Sequence, residues 1–169
     1  MTIKKSGVTL VVKKIQRNTL LLSLGLLFTT FTVKECVISK VIVMGKSMNP
    51  TLEHGDSGYV NKYVLKFRPL NRGEIIIFND CIDNQLVIKR VIGVPGDTIL
   101  FSFGRVYVNG NMLSESYLKA GTLTIPRNYN GLTLGKGEYF MMGDNRANSL
   151  DSRNYGPILT SHIVGLFVP

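Results

Sequence analysis

The chain has 169 residues, 44% of them apolar, and a formal net charge of +9. That leaves room for one domain and one short extra segment, and it is too apolar for a disordered chain. Lys4, Lys5, Lys13, Lys14 and Arg17 fall within residues 1–18 with no acid among them, and the remaining excess is scattered over residues 34–169. Cations placed directly before an apolar stretch follow the positive-inside rule, and no later segment concentrates Lys and Arg with aromatics, so nucleic acid is not an expected partner.

Thr19 to Val33 carries no charge. As a helix it rises ~22 Å, short of a ~30 Å hydrocarbon core. A cleaved secretory signal has a core of this length, but the following Val33-Lys34-Glu35-Cys36-Val37-Ile38-Ser39 offers no small-x-small cleavage site. A lipoprotein signal needs small residues where Lys34-Glu35 precede Cys36. An uncleaved anchor over residues 19–36 fits better, with Arg17 and Lys34 snorkelling or the bilayer thinning locally. The cations then put residues 1–18 in the cytoplasm and residues 37–169 outside. Cys36 and Cys81, the only cysteines, have no histidine beside them. They make no metal site by spacing, and no metal or cofactor is expected. They are read as free thiols, although an extracytoplasmic disulfide is possible.

Beyond the anchor the pattern is that of strands. Val37–Val43, Glu74–Phe78, Leu86–Ile92 and Tyr139–Met142 are short apolar or β-branched runs, and Arg105–Val108 leads into Asn109-Gly110, a favoured two-residue hairpin turn. Gly or Pro recurs about every ten residues, and no stretch after the anchor has a helical period. The expected fold is all-β, a coiled antiparallel sheet. Phe101–Gly137 has the weakest strand pattern and is the expected appendage.

Three polar features stand out on this framework. Ser47 lies in Gly45-Lys46-Ser47-Met48-Asn49-Pro50-Thr51, and Lys89 lies in the apolar run Leu86–Ile92, followed by Gly93-Val94-Pro95-Gly96-Asp97. Gly143–Arg153 packs two Arg, two Asp, two Asn and two Ser into one loop. Ser47 alone could be an ordinary turn residue, Lys89 alone a surface lysine, and the loop alone a solvated one. A serine hydroxyl needs a base to be a nucleophile, and His54 and His162 stand in poor contexts for that task. A buried lysine is the alternative, because desolvation disfavours the ammonium.

Taken together, Ser-Met-x-Pro-Thr-Leu, Lys-Arg-Val-Ile-Gly-Val-Pro-Gly-Asp and Gly-Asp-Asn-Arg-x-Asn-Ser-x-Asp-Ser-Arg, in this order behind an anchor, strongly resemble the bacterial type I signal peptidases. The resemblance covers the anchor and roughly residues 41–56, 86–97 and 140–156. It implies a membrane-anchored serine protease acting on signal peptides of exported preproteins, with Ser47 as nucleophile and Lys89 as general base. By the same resemblance Ser149 orients the lysine amine, and Asp151 stiffens the loop by pairing with Arg153 or Arg146. The Ser47 N–H is implied as an oxyanion donor. Some relatives add a hydroxyl two residues before the nucleophile; Gly45 stands there, so a backbone N–H near Gly45 is the expected second donor. Val43, Met48, Leu52 and Val87 are placed to line small apolar pockets suited to Ala-x-Ala. The lipid bilayer is the other expected partner. A specialised relative processing a conjugation or pilus substrate, a self-cleaving repressor-type Ser/Lys protein and an inactive membrane-tethered binding module are the competing readings.

Overall fold

The computed structural model describes residues 38–80 and 85–169. The expected basic N-terminus, the anchor over 19–36, Cys36 and Cys81 lie outside the described residues. Within them no helix is long and apolar enough to cross a membrane.

The chain runs through strands β1 (Ile38–Ile42), β2 (Ser57–Asn61), β3 (Ile75–Asn79), β4 (Leu86–Gly93), β5 (Thr98–Ser102) and β6 (Arg105–Val108). It continues through β7 (Asn111–Met112), β8 (Gly131–Thr133), β9 (Glu138–Met142), β10 (Ile158–Leu159) and β11 (Ile163–Val168). Two single-turn helices, α1 (Val64–Phe67) and α2 (Ser152–Tyr155), interrupt them. A seven-stranded sheet has the order β1-β2-β11-β3-β4-β9-β10, and a four-stranded sheet the order β7-β6-β5-β8. Every pairing is antiparallel. The all-β, antiparallel expectation is borne out.

Period-2 alternation explains the packing. In β4, Val87 and Val91 join a core with Ile76, Phe78 and Met141, while Ile88 packs against a second core of Val43, Met48, Leu52, Val60, Ile77 and Phe167. A third core joins the two sheets: Ile92, Phe140 and Met142 of the large one meet Ile99, Phe101, Val106 and Val108 of the small one. Residues 101–137 are therefore no loose appendage. Their strands are short, but their inward side chains are buried to the same degree as those of the main sheet. The hairpin at Asn109-Gly110 forms as its sequence predicts, with both residues at positive φ and Val108 opposite Asn111.

Two features place the site. Strand β9 pairs with β4 only from Arg90 onward, so Leu86–Lys89 have β3 on one edge and no strand on the other among the described residues. Strand β11 lies between β2 and β3, and its register against β3 shifts between Ile163 and Gly165. A Cβ at Gly165 would meet Asn61 O at 2.4 Å, so only glycine lets β2 approach there.

Candidate active site

Ser47 belongs to the long connection between β1 and β2. This loop is closed at its base by Val43 N donating to Asp56 O at 2.7 Å and Gly55 N to Val43 O at 2.9 Å. Its tip is clamped to the polar loop 143–153: Asn145 N donates to Ser47 O and Asn145 Nδ2 to Lys46 O, both at 3.0 Å. Across the cleft, Lys89 Nζ donates to Ser47 Oγ at 2.8 Å and to Ile88 O at 3.1 Å. Two side chains far apart in the sequence thus meet at hydrogen-bond distance.

The surroundings of that contact are apolar. A cavity of about 360 Å³ is lined by Val41–Met44 at the end of β1, by Leu86–Lys89 on the open edge of β4, and by Ser47 and Ile77. Lys89 is only 4% exposed. Burial lowers its ammonium pKa below the ordinary lysine value, against the opposing pull of the Asp151 and Asp80 carboxylates. Once the amine is neutral, the same contact can run the other way, with Ser47 Oγ–H donating to Nζ. That is the geometry a base needs to take the hydroxyl proton.

The expected pocket residues divide. Val43 and Val87 line the cavity, whereas Met48 and Leu52 are buried in the core that also holds Val60 and Phe167. Their side chains support the loop from beneath instead of bordering the cleft. Among the described residues no acceptor takes the Ser47 N–H. The Gly45 N–H, by contrast, donates to His54 Nδ1 at 3.2 Å, so it is not free in this structure.

Behind the cleft lies a buried network. Asp151 pairs with Arg153 rather than Arg146: Arg153 Nε donates to Oδ1 and Arg153 NH2 to Oδ2, each at 2.9 Å. Burial alone would raise the Asp151 carboxyl, but the Arg153 guanidinium, together with the Ser149 hydroxyl and the Gly143 N–H, holds the group below its ordinary value. Asp151 also caps α2, accepting from Arg153 N, and its Oδ2 accepts from Gly143 N at 3.1 Å. Arg146 instead meets Glu115 of the small sheet's connection, together with Thr124 and the Gly143 carbonyl. Ser149 Oγ is buried and makes no hydrogen bond of normal geometry, although its hydroxyl lies close enough to Asp151 to help hold that carboxyl down, and the expected bond to Lys89 is not made. A Cβ built on Gly143 would lie 2.2 Å from Ser149 Oγ and 2.4 Å from Ser47 O, so both serines abut one glycine.

The sequence reading missed a second buried pair. Arg90, next to Lys89, grips Asp144 through Nε–Oδ1 at 2.9 Å and NH2–Oδ2 at 2.6 Å, and Thr51 Oγ1 donates to the same Oδ2 at 2.5 Å. Arg90 also donates to Gly73 O at 2.7 Å and stacks 4.0 Å above the Tyr117 ring. This one cation ties together the Ser47 loop, the Lys89 strand and the polar loop. The signal was present as Lys-Arg and Gly-Asp in two separate motifs, but nothing in either motif pairs them.

The comparison with known proteins decides the family. The profile described as "Signal peptidase, peptidase S26" matches residues 16–168. The chain belongs to the signal peptidase family. It is 38% identical over 145 residues to signal peptidase I V of Bacillus subtilis, covering 79% of this chain and 86% of that protein. Against signal peptidase I of Bacillus caldolyticus it is 37% identical over 145 residues, covering 79% of each. Among solved structures, a signal peptidase I from Enterococcus faecalis matches with a TM-score of 0.51 at 32% identity, over 60% of this chain and 98% of that one. Its likeness supports the same all-β signal peptidase architecture.

Proposed function

We propose that this signal peptidase family member is a membrane-anchored serine endopeptidase that removes signal peptides from exported preproteins, cutting after Ala-x-Ala-like sites. The observation that carries the reading is the 2.8 Å contact between Lys89 Nζ and Ser47 Oγ at the edge of an apolar cleft. Neutral Lys89 takes the Ser47 proton as Oγ attacks the scissile carbonyl. The tetrahedral oxyanion is held by the Ser47 N–H, and the protonated lysine then delivers its proton to the departing amine. Water, deprotonated by the same lysine, releases the acyl group in a second step.

Val43 and Val87 line the apolar cleft that takes the small side chains before the cut. Gly45 N–H serves as a second oxyanion donor only when the loop gives up its bond to His54. Ser149 orients the lysine amine; its buried hydroxyl, which abuts Gly143 and makes no bond of normal geometry, is what supports that role. Arg146, Asp151 and Arg153 hold the loop in shape through their buried hydrogen bonds. The anchor over residues 19–36 keeps the serine near the outer membrane boundary, since fourteen extended residues from Val33 reach at most about 50 Å.

The test is cleavage of a preprotein bearing an Ala-x-Ala site by the detergent-solubilised full chain, beside Ser47→Ala, Lys89→Ala and Lys89→Arg, with products mapped by mass. The expected result is a cut after the second alanine, abolished in all three folded variants. Arginine fails because its guanidinium does not deprotonate at usable pH. Full activity in folded Lys89→Ala would sink the mechanism.

A further inference from the structure

The cleft is not alone in bordering the loop that carries Ser47. A second cavity, of about 290 Å³, shares no lining residue with the first and is bounded by Asn49, Pro50, Lys119, Asn145 and Ala147. The nucleophile loop lies between the two: Ser47 faces the first cavity, and the residues two and three positions later face the second. Asn145 closes the link, because it lines the second cavity while its backbone N–H holds the Ser47 carbonyl.

The two cavities differ in chemistry. The first is walled by aliphatic side chains apart from Ser47 and Lys89. The second mixes amide and charged groups with Pro50, Leu123 and Ala147, and most of its charge is internally cancelled. Asp144 is consumed by Arg90 and Thr51, and Arg146 by Glu115. Lys119 is exposed and takes part in no ion pair among the described residues. Lys119 is thus the one cation lining the cavity that no carboxylate pairs with among the described residues.

We propose that this second cavity receives the stretch of substrate that follows the scissile bond, and that Lys119 makes it favour a carboxylate there. The inference rests on the peptidase reading: a chain whose small residues fill the apolar cleft and whose carbonyl reaches Ser47 must leave past the far side of the nucleophile loop. The end that is retained by the membrane is apolar, and the end that is released is the one presented to polar groups. Discrimination between mature chains therefore resides in Lys119 and its neighbours, apart from the apolar cleft.

The experiment uses the full chain in detergent and two preproteins with the same Ala-x-Ala site, one carrying Asp and the other Lys at the second and third positions after the cut. The quantity read is the ratio of kcat/KM for the Asp and Lys substrates. Wild type is expected to favour the Asp substrate by about fivefold, the scale of one exposed charge pair, and less so at high salt. Lys119→Glu should invert the ratio, and Ala147→Asp, which adds a carboxylate to the same cavity, should bring it toward one. A wild-type ratio near one, or a ratio that either variant leaves unmoved, overturns the proposal. Failure of wild type to cut either substrate overturns the peptidase reading along with it.

Discussion

Adding one methyl group at Gly143 probes whether the polar loop sets the position of Ser47, the proposed nucleophile. The new Cβ in Gly143→Ala would sit 2.2 Å from Ser149 Oγ, 2.6 Å from Ser149 Cβ and 2.4 Å from the Ser47 carbonyl oxygen. The hydroxyl could rotate away, but the other two atoms belong to the frame of the site. Restoring a 3.0 Å separation moves the Ser47 carbonyl by about 0.6 Å and Ser149 Cβ by about 0.4 Å. Displacements of this order at a reacting centre cost up to about a hundredfold in rate, whereas the overpacking itself costs about 1–3 kcal/mol of stability. The assay pairs kcat/KM on an Ala-x-Ala preprotein with urea unfolding of the same sample. The expected result is a loss of ten- to a hundredfold in kcat/KM, falling on kcat, in a variant that still unfolds cooperatively. Wild-type kcat in folded Gly143→Ala would refute the argument that both serines are positioned through this glycine.

The depressed pKa of Lys89 has a second consequence. Between its folded pKa and the unfolded value of ~10.4, the unfolded chain binds more protons than the native one, so stability rises with pH through that window. Lys89→Met, which removes the buried amine, should be more stable than wild type in urea at pH 7, with the gap narrowing toward pH 10. The rate profile follows the same group: cleavage should rise with pH along a limb lying below a free lysine's pKa, and an unshifted limb would count against a desolvated base. Arg153→Met leaves Asp151 buried and unpaired and should cost about 3–5 kcal/mol in urea unfolding. Asp144→Asn should cost a comparable amount, because Arg90 loses its carboxylate partner in the same interior.

Ser47 and Lys89 were legible because each stands in a motif whose order and composition carry the information locally, and the Asn109-Gly110 turn was legible for the same reason. What escaped was long-range. Arg90 reads as a residue on one strand face, and only the pairing of β4 with β9 and the path of the polar loop bring Asp144 to it. Met48 and Leu52 look like cleft residues from their distance to Ser47, yet the loop turns back on itself, with Leu52 N donating to Met48 O at 3.0 Å, and both side chains go into the core. Strand β11 escaped notice because Gly165 breaks its alternation where β2 comes close. The small sheet was underrated because its strands are two to five residues long and punctuated by glycine, so each is too short to display a period.

The position of β11 has a temporal meaning. It is the last strand in sequence, yet it is the only link in the ladder between β2, downstream of the Ser47 loop, and β3, which pairs with the lysine strand. Until Ile163–Val168 have emerged from the ribosome and crossed to their place, the sheet exists as two separate pieces, one on each side of the gap. A nascent copy therefore carries Ser47 and Lys89 on two pieces of sheet that only loop contacts, Asn145 to Ser47 and Arg90 through Asp144 to Thr51, can hold together.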